Sequence, residues 1–302
     1  MRSTVELLAF HDERRVPNWL YHGFVLCKAG NLPQLRDQLV NAKSQCGCDI
    51  GKRIHFSELG SGGTGSSRTR TAVAWAKLFA TSLHSSMWFY FFGVNLRNID
   101  YEFFGPSGSG HARDFRIYNR FFEIGLFGAC RFFFNSADED VEIVHMVSEK
   151  RDLDRDDPFL IHAPYKINRR ASNIMVRDSQ VVQAASRPCR EMANPEYAHL
   201  VNFVDVLVGS FSEVIDYTTK KDGCTEVAER VFPVCIKLLE NPYNKNSRYY
   251  KRYAASFFPK RLVSKSTMMK YGTGPPEDMF YWNRALRLRQ PECLAGFEAL
   301  IT

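Results

Sequence analysis

Two periods run along this chain: short apolar runs in which side chains alternate, and longer stretches whose apolar residues recur every three or four positions. Residues 4–12 are apolar and rich in strand formers, and residues 19–27 repeat that character with aromatic and β-branched side chains. The link between them, Arg14-Arg15-Val16-Pro17, is short, which favours an antiparallel hairpin. Residues 33–44 read as an amphipathic helix with Leu35, Leu39 and Val40 on one face, and residues 52–56 return to strand. Residues 68–83 place Ala and Leu at helical spacing, residues 87–96 suit a buried strand, and residues 112–133 fit a long helix. Strands are expected over 141–147 and around 174–176; the rest of 157–190 gives no clear pattern. Helices follow over 197–214 and 224–239, the second with Thr225 as a candidate N-cap. Residues 241–302 read as helical, with turns at Gly272-Thr273-Gly274-Pro275-Pro276.

This order predicts an α/β fold, a mixed sheet flanked by helices, over residues 1–220. A helical, basic C-terminal extension is expected over 221–302. Residues 60–67 are rich in Gly, Ser and Thr but lack the Lys of a phosphate-binding loop, so they read as a flexible connection. Residues 105–110 read as another loop, and there are no internal repeats.

Composition narrows the class. Hydrophobic residues make up 45% and aromatic residues 14% of the chain, enough for a sizeable core. No run of about 18 apolar residues announces a membrane span. Met1 to Glu6 carry no signal-peptide pattern, so a cytoplasmic location is expected. Among the 8 cysteines only Cys46 and Cys48 are close together, and no CxxC pair exists, so ordinary thiols are favoured over a zinc site. The spacing Asp152-Leu153-Asp154-Arg155-Asp156 lacks the glycine and terminal glutamate of a calcium loop.

Charge is distributed unevenly. Residues 1–240 balance 29 basic against 29 acidic side chains, whereas 241–302 hold 11 basic and 4 acidic, so the net +7 lies in that last segment. Lys251, Arg252, Lys260 and Arg261 alternate there with Tyr249, Tyr250, Tyr253, Phe257 and Phe258. Basic groups attract phosphates and aromatic faces stack on bases, which makes these four basic residues candidate nucleic-acid contacts. The plainer alternative is a solvated helical surface with its aromatics in the core.

Four acidic residues, far apart in sequence, carry the candidate chemistry. Asp12 closes the first strand, Glu58 ends the strand-like run 54–59, Glu149 follows the strand over 141–147, and Asp205 lies in the apolar stretch 200–209. A carboxylate in such surroundings is costly to bury unless something pairs it, and hard divalent cations take oxygen ligands. Three of the positions also have a plainer reading. Asp12 suits a strand-end turn, Glu58 a helix start and Glu149 one of several solvated acids, while Asp205 stands on an apolar face where stray charge is expensive. Glu13 reads as a surface or ion-pair residue, and His145 as core.

At these positions the chain resembles the domain-of-unknown-function 3800 family, grouped with ribonuclease H-like folds. The resemblance covers roughly residues 4–215 and rests on four elements. His11-Asp12-Glu13-Arg14 matches a strand end of Asp-Glu followed by a small residue, with Arg14 in the small residue's place. His55-Phe56-Ser57-Glu58-Leu59 matches a Lys/His-Phe-Ser-Glu-Leu element. Asp178-Ser179 matches an Asp-Ser pair, and the helix from Val201 to Gly209 centres on Asp205. Members carry Asp where this chain has Glu149, and Asp152 is the alternative.

The resemblance implies a ribonuclease H-like sheet and a nuclease that hydrolyses RNA or DNA, with Asp12, Glu58, Glu149 and Asp205 holding Mg²⁺ or Mn²⁺. In that chemistry two ions about 3.5–4 Å apart serve the attacking water and the leaving oxygen. Lys52 or Arg53 would touch a phosphate near Glu58, and His55 would support a ligand or carry a proton. A binding or scaffold module without turnover, as part of a bacterial defence or mobile-element system, is the alternative. Nucleic acid is the expected partner, protein partners are open, and no membrane is expected.

Overall fold

The computed structural model describes residues 3–60, 65–99, 101–106, 110–134, 139–149, 159–170, 173–185, 195–216, 219, 221–240 and 251–258. Its centre is a mixed sheet. The opening hairpin is β1 (Ser3–Val16) and β2 (Trp19–Lys28), paired antiparallel with Val16 opposite Trp19. The third strand, β3 (Met87–Asn95), runs antiparallel to β2. On the other side of the hairpin, β4 (Glu139–Glu149) lies parallel to β1. Two short strands, β5 (Ile174–Val176) and β6 (Val182–Ala184), each pair parallel with β4. The far edge is β7 (Tyr253–Phe258), parallel to β3. The strand order is β5-β4-β1-β2-β3-β7, with β6 also on β4.

Helices cover both faces. On one lie α1 (Leu32–Gln45), α2 (Ser67–Thr81), α5 (Pro195–Asp216) and α6 (Asp222–Glu240), packed against Phe10, Tyr21, Val25, Phe89 and Phe91. On the other lie α3 (Gly110–Phe133) and α4 (Phe159–Arg170), packed against Leu7, Ala9, Phe24, Tyr90 and Phe92. Being covered on both sides, β2 is buried along all but its last residue, which is why it reads as a nearly continuous apolar run. By length and composition α5 could cross a membrane, yet the whole of its apolar window is buried inside the molecule, the position of a core helix.

Three expectations are corrected. Residues 52–56 are not a strand: they form an irregular loop that ends in a 3-10 turn at Phe56–Glu58. Their backbone groups are taken by side chains rather than by a neighbouring strand. Lys43 Nζ donates to the carbonyls of Ile50 and Lys52, and Asp205 accepts from the Phe56 N–H. Residues 253–258, expected to be helical, form β7. Tyr253, Ala255 and Phe257 point to the α5 face and Ala254 and Phe258 to the other, a two-residue period that only a strand satisfies. Tyr253 stacks on Phe79 with ring centroids 4.3 Å apart. Both β7 and α6 join the core built by the preceding segment. His145 is not a core residue: it is half-buried, with Nδ1 2.7 Å from Asp178 Oδ2.

Candidate functional site

A bulge in β4 decides which way its end points. The β1–β4 register runs Leu7 to Ile143 and then Leu8 to His145, so Val144 is one residue too many. Before the bulge Ile143 faces α3 with Leu7; after it Met146 shares that side with Ala9. Val147 consequently faces α5 with Phe10, while Ser148 faces α3 and its Oγ lies 3.3 Å from His11 Nδ1. Strand alternation then turns both Asp12 and Glu149, one residue past the last paired positions, toward α5. Without the extra residue Glu149 would face the opposite side of the sheet.

Helix α5 lies close over this strand end because the residue opposite Asp12 is Gly23. A Cβ at Gly23 would stand 2.1 Å from Val208 Cγ2 and 3.3 Å from Val204 Cγ1, so a larger residue would lift the helix away. Asp205 follows Val204 and is 8% exposed; Asp12 is 5% exposed. The two acids thus share one face of the sheet, with the helix seated beside the strand.

The two remaining motif elements are halves of a single contact. The Phe56 N–H donates to Asp205 Oδ2 at 2.6 Å, and His55 Nε2 stands 3.4 Å from Asp205 Oδ1. The Phe56 ring lies where a side chain at Gly209 would be: a Cβ there would stand 2.2 Å from its Cγ. Cys224 Sγ donates to the Phe56 carbonyl at 3.3 Å, and Lys221 Nζ donates to the Ser57 carbonyl at 2.7 Å. Arg14 stacks its guanidinium over the Phe56 ring, 5.0 Å from its centroid. Ser57 Oγ lies 2.7 Å from His55 Nδ1; with the hydroxyl donating there, Nε2 carries the ring proton and faces Asp205. Burial pushes the Asp205 carboxyl up from its ordinary range. His55 and the Phe56 N–H pull it down, Glu149 pushes it further up, and Arg14 pulls it down.

Glu58 and Glu149 are joined by a guanidinium. Arg53 Nη2 donates to Glu149 Oε1 at 2.9 Å, and its Nη1 lies 3.8 Å from Glu58 Oε1. Arg68 Nη1 holds the other Glu58 oxygen at 3.3 Å. Asp12 Oδ1 accepts from the Glu13 N–H at 2.8 Å. Among the described residues, no group of three or more His, Cys, Asp or Glu side chains is arranged to hold a metal ion. The four acids nonetheless offer only carboxylate oxygens, the chemistry a hard divalent cation takes, and the charge of Glu149 bears on Asp205. The acids match such an ion in donor chemistry, but their placement does not bring three of them together, and a guanidinium supplies the positive charge between Glu58 and Glu149.

Sequence reasoning missed Arg14, Arg68 and Lys43. Arg14 stood out only as the residue that replaces a small one in the first motif, and Arg68 gave no signal beyond its charge. Lys43, near the end of α1, is fully buried, and burial draws its ammonium down to about 8. It ties the loop that carries Lys52 and Arg53. Of the expected nucleic-acid contacts, Lys52 and Lys251 are exposed, and Arg252 lies over the Trp88 ring at 4.2 Å. Arg53 is engaged with the two glutamates. Lys260, Arg261 and Asp152 lie outside the described residues. A cavity of about 300 Å³, lined by Glu13, Arg15, Asp114 and Tyr118 among others, lies at the α3 side of the sheet, away from the carboxylates.

No family model, curated protein or solved structure matches the chain.

Proposed function

We propose that this protein is a divalent-metal-dependent hydrolase of phosphodiester bonds in RNA or DNA, built on a ribonuclease H-like sheet. The observation that carries the reading is the bulge at Val144, which turns Glu149 to the same face as Asp12, beneath the helix that bears Asp205. An antiparallel hairpin followed by helix-linked parallel strands agrees with such a sheet. Asp12, Glu149, Asp205 and Glu58 would hold Mg²⁺ or Mn²⁺, which lowers the pKa of a bound water and offsets charge on the phosphate.

The chain's own groups have distinct tasks. Asp205 holds the Phe56 turn and with it the placement of Glu58. Ser57 orients His55, which keeps a hydrogen-bond donor against Asp205. Arg14, Arg53 and Arg68 border the acids and offer planar guanidinium donors to a phosphate. The basic segment 241–302 supplies sequence-independent attraction for nucleic acid.

The test is cleavage of single- and double-stranded RNA and DNA with Mg²⁺ and with Mn²⁺. Activity should appear with one of these ions and vanish in a folded Asp12→Asn variant. Absence of cleavage across all four substrates with both metals counts against the reading. A second reading is favoured by the Arg53 bridge: a binding module without turnover, whose acids are neutralised internally. It predicts salt-sensitive nucleic-acid binding that survives Asp12→Asn.

A further inference from the structure

Arg53 occupies an unusual place. Its guanidinium reaches two carboxylates contributed by different parts of the fold, Glu149 at the end of β4 and Glu58 in the 3-10 turn. The loop that carries it is fixed on both sides. Lys43 holds the carbonyls of Ile50 and Lys52 just before it, and Asp205 holds His55 and the Phe56 N–H just after it. The Arg53 and Glu149 side chains are 26% and 19% exposed, so their attraction is less screened than that of a surface pair. A guanidinium keeps its charge at any pH a protein tolerates, so this positive charge leaves only if the side chain moves. Glu58 has a second partner in Arg68, so departure of Arg53 would not strand it. The Arg53 Nε is buried with no hydrogen-bond partner among the described residues, leaving that donor unspent for another acceptor.

We infer that Arg53 is a built-in counter-ion that competes with a divalent cation for Glu58 and Glu149, so that the cation binds only as the guanidinium withdraws. This rests on the reading of the site as a metal-dependent hydrolase and adds a device that regulates it. Without a cation, Arg53 relieves repulsion among the acids. With one, two positive charges cannot share the same carboxylate oxygens, and the guanidinium is released toward any phosphate nearby.

The test measures binding of Mn²⁺ alone to the full chain by calorimetry. Arg53→Met keeps the aliphatic stem and removes the charge; it should bind Mn²⁺ roughly tenfold or more tightly than the wild type. Arg53→Lys keeps the charge without the fork and should fall between them. If the wild type binds Mn²⁺ and Arg53→Met binds it no more tightly, the inference is overturned while the hydrolase reading stands. If neither protein binds Mn²⁺, both are overturned, because Arg53 is then not what opposes the ion. A readout on the wild type covers the case in which Arg53→Met does not fold. With ¹⁵N-labelled arginine, the Arg53 Nε–H resonance should shift as Mg²⁺ is added. A resonance that stays still at saturating Mg²⁺ removes the inference as well.

Discussion

Neighbouring residues at the end of β1 meet two different kinds of interior. Asp12 turns to the α5 side, where Glu58, Glu149 and Asp205 are answered by Arg53, Arg68, His55 and a backbone N–H. His11 faces α3, where its Nε2 lies 3.0 Å from His22 Nδ1 among Phe24, Tyr118 and Phe122. Both sides bury polar groups. At this strand end the α5 side retains charge and offsets it with opposite charge, whereas on the α3 side burial alone holds the His22 imidazole neutral, and buried charge returns there at Glu123 of α3, among Arg120, Lys166 and Arg170. A site that must bind something charged has reason to keep ions at hand. A site that only fills a core has reason to discharge them.

The largest expected effect tests whether the α5 side depends on its clamped turn. Phe56 is fully buried, rests on Gly209 and lies under Arg14. Phe56→Ala should cost about 3–5 kcal/mol in chemical denaturation, as for other large aromatic truncations in a packed core. A cost below about 1 kcal/mol would mean that the turn is not clamped, and that Glu58 is not placed by it.

The α3 side should reveal itself in acid. In the unfolded chain His22 takes its proton near 6.5, whereas in the fold burial holds it neutral down to about 3. The unfolded state therefore binds more protons between those values, and stability falls as pH drops through 6.5. The contribution lost by about pH 4 is roughly 3 kcal/mol. His22→Phe removes the titrating group, so its unfolding free energy should decline less steeply over this range than that of the wild type. Parallel curves for the two proteins would show that His22 is not held neutral.

Much of this comparison was legible in the chain, and the illegible parts have a common cause. The hairpin, the helices around Leu35, Trp75 and Phe203, and the apolar run of β3 follow from local period. The motif residues His55 to Leu59 and Asp205 stood out by chemistry, and the structure joins them through Phe56 and Gly209. The bulge did not show. Val141 to Glu149 reads as a regular strand, and only its pairing with β1 reveals that Val144 is extra. The same holds for residues 52–56, whose apolar and basic character suits a strand until Lys43 and Asp205 claim its backbone groups. Arg53 was visible as a charge near Glu58, but which partner a guanidinium reaches depends on tertiary placement, and period carries no information about that. In β7, the lysines and arginines around Tyr253 to Phe258 suggested a surface helix, whereas pairing with β3 makes it a strand.

The smallest expected effect contrasts two ion pairs of the same chemistry. Arg15, on the α3 side of β1, holds Asp114 at 3.0 Å, with the two side chains 55% and 43% exposed. The Arg53 and Glu149 pair has nearly the same separation, 2.9 Å, at 26% and 19% exposure. Exposed pairs gain little, because water and salt screen them and two long side chains must be held still. Arg15→Ala should therefore shift the unfolding free energy by less than about 1 kcal/mol, and the shift should fade in roughly 0.5 M salt. It should also leave Mn²⁺ binding unchanged, since the sheet separates it from the carboxylates. A change in Mn²⁺ affinity with Arg15→Ala would show that charge acts through the sheet as a whole. The local account of Arg53 would then lose its footing, because any nearby guanidinium would produce the same result.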